Sequence, residues 1–290
     1  MLFIKLLRLL FSIFFSPFLI TYNLGAHDCL SFKDAKEIYA GFPNKPINNL
    51  SFNFTLEEAY CGQEKVNYLI KKKHDDPIGY KVGFTNKTMQ EMFKISEPAT
   101  GIIYKHMFLD NNSSINYDFG YRVMIEPDIL VVIKSENIMS AKNDIEILEN
   151  ISSIHPYIEI ISLRFKEETK LNANMIIASN MLATKMMMGK GVKIKANKQF
   201  LEKLADINTV FIKDKNTILQ EAKTSNLMGH PINVLKWLIN DLNKKGKKLK
   251  KDDHVSLGSI GKLFPVKKNS SYEYQFNNLE ERVGLNINFN

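Results

Sequence analysis

Two carboxylates stand two residues apart where an apolar stretch begins. Glu126 and Asp128 flank Pro127, and residues 129–133 after them read ILVVI. Side chains two apart on a β-strand project from the same face, so both acids point the same way if this stretch is a strand. Burying two like charges is costly unless a cation compensates them. Mg²⁺ or Mn²⁺ would do so, because both ions prefer oxygen ligands.

A third acid, Glu159, lies in an apolar stretch that ends near Ile161. Together the three acids point to a divalent-metal site. One alternative is that Glu159 pairs with a neighbouring base such as Arg164. The other is that Glu126 and Asp128 are solvent-facing acids at a strand end. The residue types by themselves support the metal site and these alternatives equally.

The stretches that hold these acids have the composition of strands. Residues 129–133 are rich in β-branched side chains, which is typical of a strand buried on both faces. Shorter apolar runs predict further strands at residues 157–163, 184–189, 209–212 and 254–257. Apolar residues at three- and four-residue spacing predict helices over residues 32–39, 56–72, 143–154 and 231–242.

The first residues have the pattern of a secretory signal. A basic start with Lys5 and Arg8 precedes an almost wholly apolar stretch over residues 9–24, and small residues follow at 25–26. The apolar stretch is too short for a comfortable membrane span. We therefore predict a signal peptide over residues 1–26 and a periplasmic or secreted protein without a stable membrane span. The alternative is an uncleaved segment that anchors the chain to a membrane.

The rest of the chain divides into two parts. Residues 27–75 are predicted to form an N-terminal helical region, and residues 76–290 a single mixed α/β domain. The two cysteines, Cys29 and Cys61, could form one disulfide in an oxidising compartment. Two isolated buried thiols are the alternative that the sequence leaves open.

Composition places the chain among ordinary globular proteins. Of 290 residues, 44% are hydrophobic and 24% charged, and the net charge is +8. Much of the positive charge comes from lysines at 71–73 and 244–251, and neither run is interleaved with aromatic residues. This pattern is typical of solvated loops and disfavours nucleic-acid binding.

Five segments, in one order along the chain, resemble those of a known family. Residues 79–85, GYKVGFT, resemble a glycine–any–Lys–Val–Gly–Leu–Thr segment, and residues 126–129 and 155–164 resemble segments that carry acidic ligands. Residues 228–233, MGHPIN, are similar to a Leu-Gly-His-Pro-Leu-Asn helix start, and residues 255–259 stand where the family has a strand ending in Thr-Gly. The family is the fumarylacetoacetate hydrolase family, in its 2-oxopent-4-enoate (2-hydroxypenta-2,4-dienoate) hydratase branch.

This resemblance implies a fold and a site. The fold would be mixed α/β, a β-rich fumarylacetoacetate-hydrolase-like roll with a small N-terminal helical region. Glu126, Asp128 and Glu159 would be the metal ligands, Lys81 the active-site lysine, and Ser259 a substrate-binding residue. The resemblance further implies Mg²⁺ or Mn²⁺ as cofactor, a small 2-oxo acid as substrate and a homo-oligomer. Without it, Lys81 would be read as an ordinary surface lysine at a turn.

Three positions depart from the family pattern. Ala99 stands where the hydratases carry the Asp of a Pro-Asp-Phe-Gly segment. Ser179 stands where they carry the Asp of Ala-Asp-Asn, and Asp128 replaces a more usual Glu. The first two changes each remove a carboxylate from the region of the site.

The function predicted from the sequence is a metal-dependent hydratase, a hydro-lyase acting on a short unsaturated 2-oxo or 2-hydroxy-dienoic acid. A divalent ion chelated by a 2-oxo acid polarises its ketone, which suits the three acids. One alternative is decarboxylation of a related oxo-diacid. The other is an exported descendant with little or no activity, which binds a small organic acid or a protein partner; Ala99 and Ser179 favour it.

Overall fold

The computed structural model describes residues 29–47, 54–279 and 281–290. The predicted signal peptide, residues 1–26, lies outside those ranges. Within them, no helix combines the length and the apolar character needed to cross a bilayer.

The described residues form seven α-helices: α1 Phe32–Ala40, α2 Leu56–Lys73, α3 Lys87–Phe93, α4 Asp144–Glu149, α5 Ala173–Ala178, α6 Lys198–Ala205 and α7 Pro231–Lys244. They also form fourteen strands: β1 Pro77–Gly83, β2 Ala99–Tyr104, β3 Phe108–Leu109, β4 Ser114–Ile115, β5 Val123–Ile133, β6 Ile151–Ser162, β7 Lys185–Met188, β8 Val192–Lys193, β9 Asn208–Lys213, β10 Thr217–Lys223, β11 His254–Ser259, β12 Phe264–Pro265, β13 Ser270–Asn277 and β14 Val283–Phe289. The strand-rich mixed α/β fold predicted from the sequence is confirmed.

Local sequence explains where the longest helices begin. Thr55 caps α2 by accepting a hydrogen bond from the Glu58 amide, and the Glu58 side chain accepts from the Thr55 amide in return. The α7 helix begins with Pro231, whose missing N–H would be unpaired there in any case, and the His230 side chain accepts from the Ile232 amide. Both helices lie where the apolar spacing predicts them.

The helix predicted over residues 143–154 is wrong in its second half. Helix α4 ends at Glu149, and the chain enters β6 at Ile151. Residues 151–154 pair instead with the end of β5, where Ile154 lies opposite Val131. The apolar spacing of this segment suits a helix, but pairing with a distant strand overrides that local preference.

The described strands form two sheets. The larger has nine strands, with the order β2-β1-β11-β5-β6-β7-β3, while β12 pairs with β5 and β8 with β6. The smaller has the order β10-β9-β13-β14-β4. Strands β5 and β6 are the longest, and they run antiparallel at the centre of the large sheet.

The two faces of the large sheet bury different partners. One face packs with the small sheet and α7 in the main core, where Ile158 and Ile160 of β6 meet residues such as Tyr274 and Leu238. The other face, which carries Tyr157, packs with α1 and α2 in a second cluster. Because side chains alternate along a strand, Glu159 points to this second face and so toward the N-terminal helices.

Candidate active site beneath the N-terminal helices

Strand register brings two of the predicted acids together. Glu126 of β5 lies directly opposite Glu159 of β6, and directly opposed side chains share a face of the sheet. Besides burial, the negative charge of Glu159 accordingly raises the pKa of Glu126. Glu159 is 1% exposed, and Glu126 is half-buried.

The third predicted acid, Asp128, lies on the same face but is held by different partners. It is 1% exposed, and one carboxylate oxygen accepts a hydrogen bond of 2.7 Å from the Ser256 hydroxyl. The other oxygen accepts from the Ile129 amide. Asp128 would therefore exchange one of these hydrogen bonds to bind an ion.

Lys81 reaches the acids from β1. Its partner in β11 is Ser256, so it projects from the same face. Lys81 is 5% exposed, and its ammonium group donates to Glu159 Oε2 at 2.5 Å and to the Met181 carbonyl at 2.9 Å. Glu159 thus pairs with Lys81 and not with Arg164, which answers an alternative left open by the sequence.

A turn of unusual backbone geometry supports Lys81. Asn180, Met181 and Leu182 all have positive φ, between 52° and 59°. This left-handed conformation is costly for residues other than glycine, and it clusters at functional sites. The Asn180 side chain holds the turn, because its amide accepts from the Ile102 N–H at 2.8 Å and donates to the Ile102 carbonyl at 3.0 Å.

A bulge in β11 places Ser259 next to the acids. Ser256 lies opposite Leu130 and Ser259 opposite Asp128, so three steps on β11 match two on β5. Because the bulge inserts one extra residue, the two serines project from the same face although they are three residues apart, and both face the acids. The Ser259 hydroxyl donates to the Pro127 carbonyl at 3.4 Å, and Ser259 opposes the rise that burial causes in the pKa of the neighbouring Glu126. Gly258 sits in the bulge with φ of 96°.

Electrostatics at this face disfavour three negative charges. Burial, followed by the charge on Glu159, raises the pKa of Glu126 to about 7. The same two causes raise the pKa of Asp128 well above its ordinary value. Glu159 Oε1 is buried without a hydrogen-bond partner. An added cation would relieve both conditions.

The donor set therefore fits a hard divalent cation in its chemistry. In the structure, however, no three His, Cys, Asp or Glu side chains of residues 29–47, 54–279 and 281–290 are arranged as a complete set of metal ligands. Glu126 and Glu159 are already neighbours, and Asp128 is the member turned to other partners. The metal-ligand roles of the three residues stay a prediction.

Several residues of this region were missed by reasoning from the sequence. Ser256 and Ser259 lie in the same predicted strand, three residues apart, and regular alternation would place them on opposite faces. The bulge shows that both face the acids. The Met181 carbonyl carried no signal, because backbone groups are identical at every residue. Ala99, where an acid was expected, is fully buried in β2 opposite Gly83.

Comparisons with known proteins confirm the resemblance stated from the sequence. No protein-family model matches the chain. A 2-keto-4-pentenoate hydratase from Paraburkholderia xenovorans is 19% identical over 242 residues, which cover 82% of this chain and 86% of the relative. A 2-oxo-hept-4-ene-1,7-dioate hydratase from Escherichia coli is 23% identical over 231 residues, which cover 78% and 84%.

Solved structures share the fold. The 4-oxalocrotonate decarboxylase from Pseudomonas putida G7, complexed with magnesium and adipate, matches with a TM-score of 0.77 and 18% identity, over 89% of this chain and 97% of that one. A yeast fumarylacetoacetate hydrolase family protein matches with a TM-score of 0.53 and 13% identity, over 72% and 91%.

Proposed function

We propose that this protein is a metal-dependent hydratase that adds water to a short unsaturated 2-oxo or 2-hydroxy-dienoic acid. The observation that carries the proposal is the buried contact between Lys81 and Glu159, with Glu126 opposite Glu159 and Asp128 on the same face. The hydratase relatives support the reaction class. The magnesium-bound decarboxylase supports a divalent ion.

Glu126, Asp128 and Glu159 would hold the ion. When bound, it would supply Lewis-acid polarisation of a 2-oxo acid. Three carboxylates and a divalent ion together carry a net charge of −1, and the neighbouring Lys81 ammonium group balances it. The substrate's own carboxylate is then the charge that the site still has to accommodate.

Lys81 is placed to bind the substrate carboxylate. Among the described residues it donates two hydrogen bonds, to Glu159 and to the Met181 carbonyl, so one of its three N–H groups is available to a substrate oxygen. Hydration also needs a proton moved between water and the carbon chain, for which a buried group within hydrogen-bond reach is required. In our proposal Lys81 holds the substrate, and the proton passes through Lys81 or Ser259.

The direct test follows the dienol absorbance of 2-hydroxydienoates of different length with purified protein and Mg²⁺ or Mn²⁺. We expect turnover that requires the metal. In Glu126→Gln, which keeps the side-chain shape, we expect loss of both turnover and bound metal in elemental analysis. Metal-loaded protein that turns over no short 2-hydroxydienoate above the buffer rate would refute the hydratase proposal. Release of CO₂ from an oxo-diacid in the same experiment would favour the decarboxylase.

A second candidate is favoured by one observation. Ala99, which is fully buried, stands where a carboxylate was expected, so the site lacks that acid. The chain would then be a descendant that binds a small organic acid with little or no turnover. Calorimetry with pyruvate or oxalate distinguishes the two, since tight binding without turnover supports this candidate. Turnover that appears only in Ala99→Asp would support it further.

We also propose that the protein is exported. The structure joins Cys29 to Cys61 in a disulfide, so the alternative of two free thiols is wrong. Disulfides persist in oxidising compartments, which supports a periplasmic or secreted protein. Fractionation of cells that express the full chain, with sequencing of the mature N-terminus, tests this proposal.

A further inference from the structure

A second buried cation, Arg164, lies outside the proposed catalytic residues. This residue follows β6 in the chain and is 3% exposed. Nε donates to the Lys45 carbonyl at 2.7 Å, and Nη1 donates to the Ile38 carbonyl near the end of α1. These carbonyl partners are neutral dipoles, and no acidic side chain of the described residues pairs with this guanidinium. Its positive charge is buried without a counter-charge.

The remaining nitrogen, Nη2, is buried without a hydrogen-bond partner. It approaches the chain closely at Gly41, where a β-carbon would lie 2.7 Å away. Burying an unpaired charge is expensive, and a buried donor left unsatisfied adds to that cost. A partner for Nη2 would therefore be energetically favourable, and it would have to lie in the space around this nitrogen.

That space is a small cavity of about 20 Å³ beside α1 and α2. Two further lining groups, Tyr39 Oη and Ser179 Oγ, are also buried without hydrogen-bond partners. The other walls are mostly apolar, with Val66, Leu182 and others. The volume has room for about one water-sized particle. Three residues that carry an unpartnered hydrogen-bond donor, one of them cationic, thus line one cavity.

We propose that this cavity is a binding site for one small inorganic anion of about the size of chloride. An anion can accept from the guanidinium, the phenol and the serine hydroxyl together, and it neutralises the buried charge. Water satisfies the donors in part but brings no negative charge to Arg164, whose guanidinium otherwise faces only the Phe42 ring, 5.8 Å from the ring centroid, and neutral carbonyls. Ser179 stands where the resembling hydratases carry an aspartate, so this chain lacks a built-in negative charge at the cavity wall.

The site is structurally linked to the catalytic lysine. Ser179 immediately precedes the left-handed turn that carries the Met181 carbonyl, to which Lys81 donates. A bound anion therefore steadies the segment that positions Lys81, although the proposal of the anion site does not depend on the proposed reaction.

The test measures thermal unfolding of the full protein in increasing sodium bromide. Sodium gluconate at matched ionic strength is the control, because gluconate is too large for the cavity. We expect the wild-type midpoint to rise with the logarithm of the bromide concentration once this exceeds the dissociation constant, by roughly 5 °C at a hundred times that constant. In Ser179→Asp the carboxylate occupies the site, and we expect this rise to disappear.

A matched variant, Ser179→Ala, distinguishes the effect of an added carboxylate from the effect of removing the serine hydroxyl. Ser179→Ala keeps Arg164 and the cavity but removes one donor, so we expect the same rise in midpoint to require about tenfold more bromide. The proposal fails if wild-type protein and Ser179→Asp respond equally to bromide. If Ser179→Asp does not fold, bromide-soaked crystals of the wild type decide: an anomalous peak next to Nη2 supports the proposal, and water alone at that position overturns it.

Discussion

Lys81 is 5% exposed, and its ammonium group lies 2.5 Å from one oxygen of Glu159, a residue 1% exposed. Buried ion pairs of this kind are weak contributors to stability, because removing both charges from water offsets their attraction. A role in chemistry therefore explains this pair better than a role in folding. In the absence of an ion, Lys81 is the cation that faces Glu126 and Glu159, and it opposes the rise in the pKa of Glu126.

Replacing Lys81 should therefore affect catalysis directly. In Lys81→Met, which keeps the length of the apolar stem, we expect metal-dependent turnover to fall by roughly 10²- to 10⁴-fold. The measurement is the initial rate with a 2-hydroxydienoate under saturating Mg²⁺. Lys185→Met is the control, because Lys185 is another half-buried lysine whose Nζ donates to the His106 carbonyl. Wild-type turnover in Lys81→Met would remove the lysine from the mechanism.

His155 gives a prediction about pH. Its Nδ1 lies 2.9 Å from the Gly189 carbonyl and its Nε2 lies 2.8 Å from Ser153 Oγ, and burial lowers the pKa of the imidazole. The unfolded chain then binds this proton at a higher pH than the native protein does. Stability is full above the unfolded value of about 6.5 and is lost as the pH falls through the native value.

We expect His155→Gln to reduce this loss. Urea unfolding from about pH 7.5 to about pH 5 should show a shallower decline in the free energy of unfolding for the variant than for the wild type. Parallel curves for the two proteins would mean that His155 does not contribute to acid destabilisation.

At the scale of elements, the bulge in β11 decides where two serines point. A β-carbon at Gly258 would lie 2.5 Å from Thr85 Oγ1 and 2.7 Å from the Val82 carbonyl oxygen, and φ is 96°. Glycine is required there by both space and backbone conformation. The same close approach locks the end of β1 against β11, and β1 carries Lys81.

Gly258→Ala should therefore destabilise the protein by roughly 2–4 kcal/mol. The matched control is Gly246→Ala, at φ of 63° with no atom within 4 Å, for which about 1 kcal/mol is expected. Urea unfolding of both variants measures the difference. Equal losses would show that the neighbouring atoms at Gly258 move away at little cost.

At the scale of the whole molecule, the N-terminal helices cover the face of the large sheet that bears the acids. The second core cluster joins Ile38 of α1 and Val66 of α2 to Tyr157 of β6. The disulfide ties Cys29, just before α1, to Cys61 in α2. The cover is therefore held by packing and by a covalent link that closes a loop with a sequence separation of 32 residues.

Reduction of this disulfide should lower the free energy of unfolding by roughly 3–4 kcal/mol, because it releases the loop in the unfolded chain. The measurement is thermal unfolding with and without a reductant. Protein with both Cys29→Ser and Cys61→Ser is the control and should not respond to the reductant. An unchanged wild-type midpoint in reductant would show that the link contributes nothing to the cover.

Much of the fold was predictable from local sequence. A continuous apolar run rich in β-branched residues predicts the buried part of β5, and three- and four-residue spacing predicts α2 and α7. The order of five motifs along the chain predicts the fold class, which the structure confirms. These features were accessible because periodicity and turn chemistry are properties of neighbouring residues. The predicted helix over residues 143–154 failed where a distant strand competes for residues 151–154.

Sequence alone determined that Glu126 and Asp128 share a face, since alternation along a strand is a local rule. Only the tertiary structure decided that Glu126 lies opposite Glu159, that Lys81 and not Arg164 pairs with Glu159, and that Asp128 turns to Ser256. Register, bulges and burial depend on contacts between residues far apart in the chain. For the same reason the unpaired charge of Arg164 became visible only when α1, α2 and the segment after β6 were brought together.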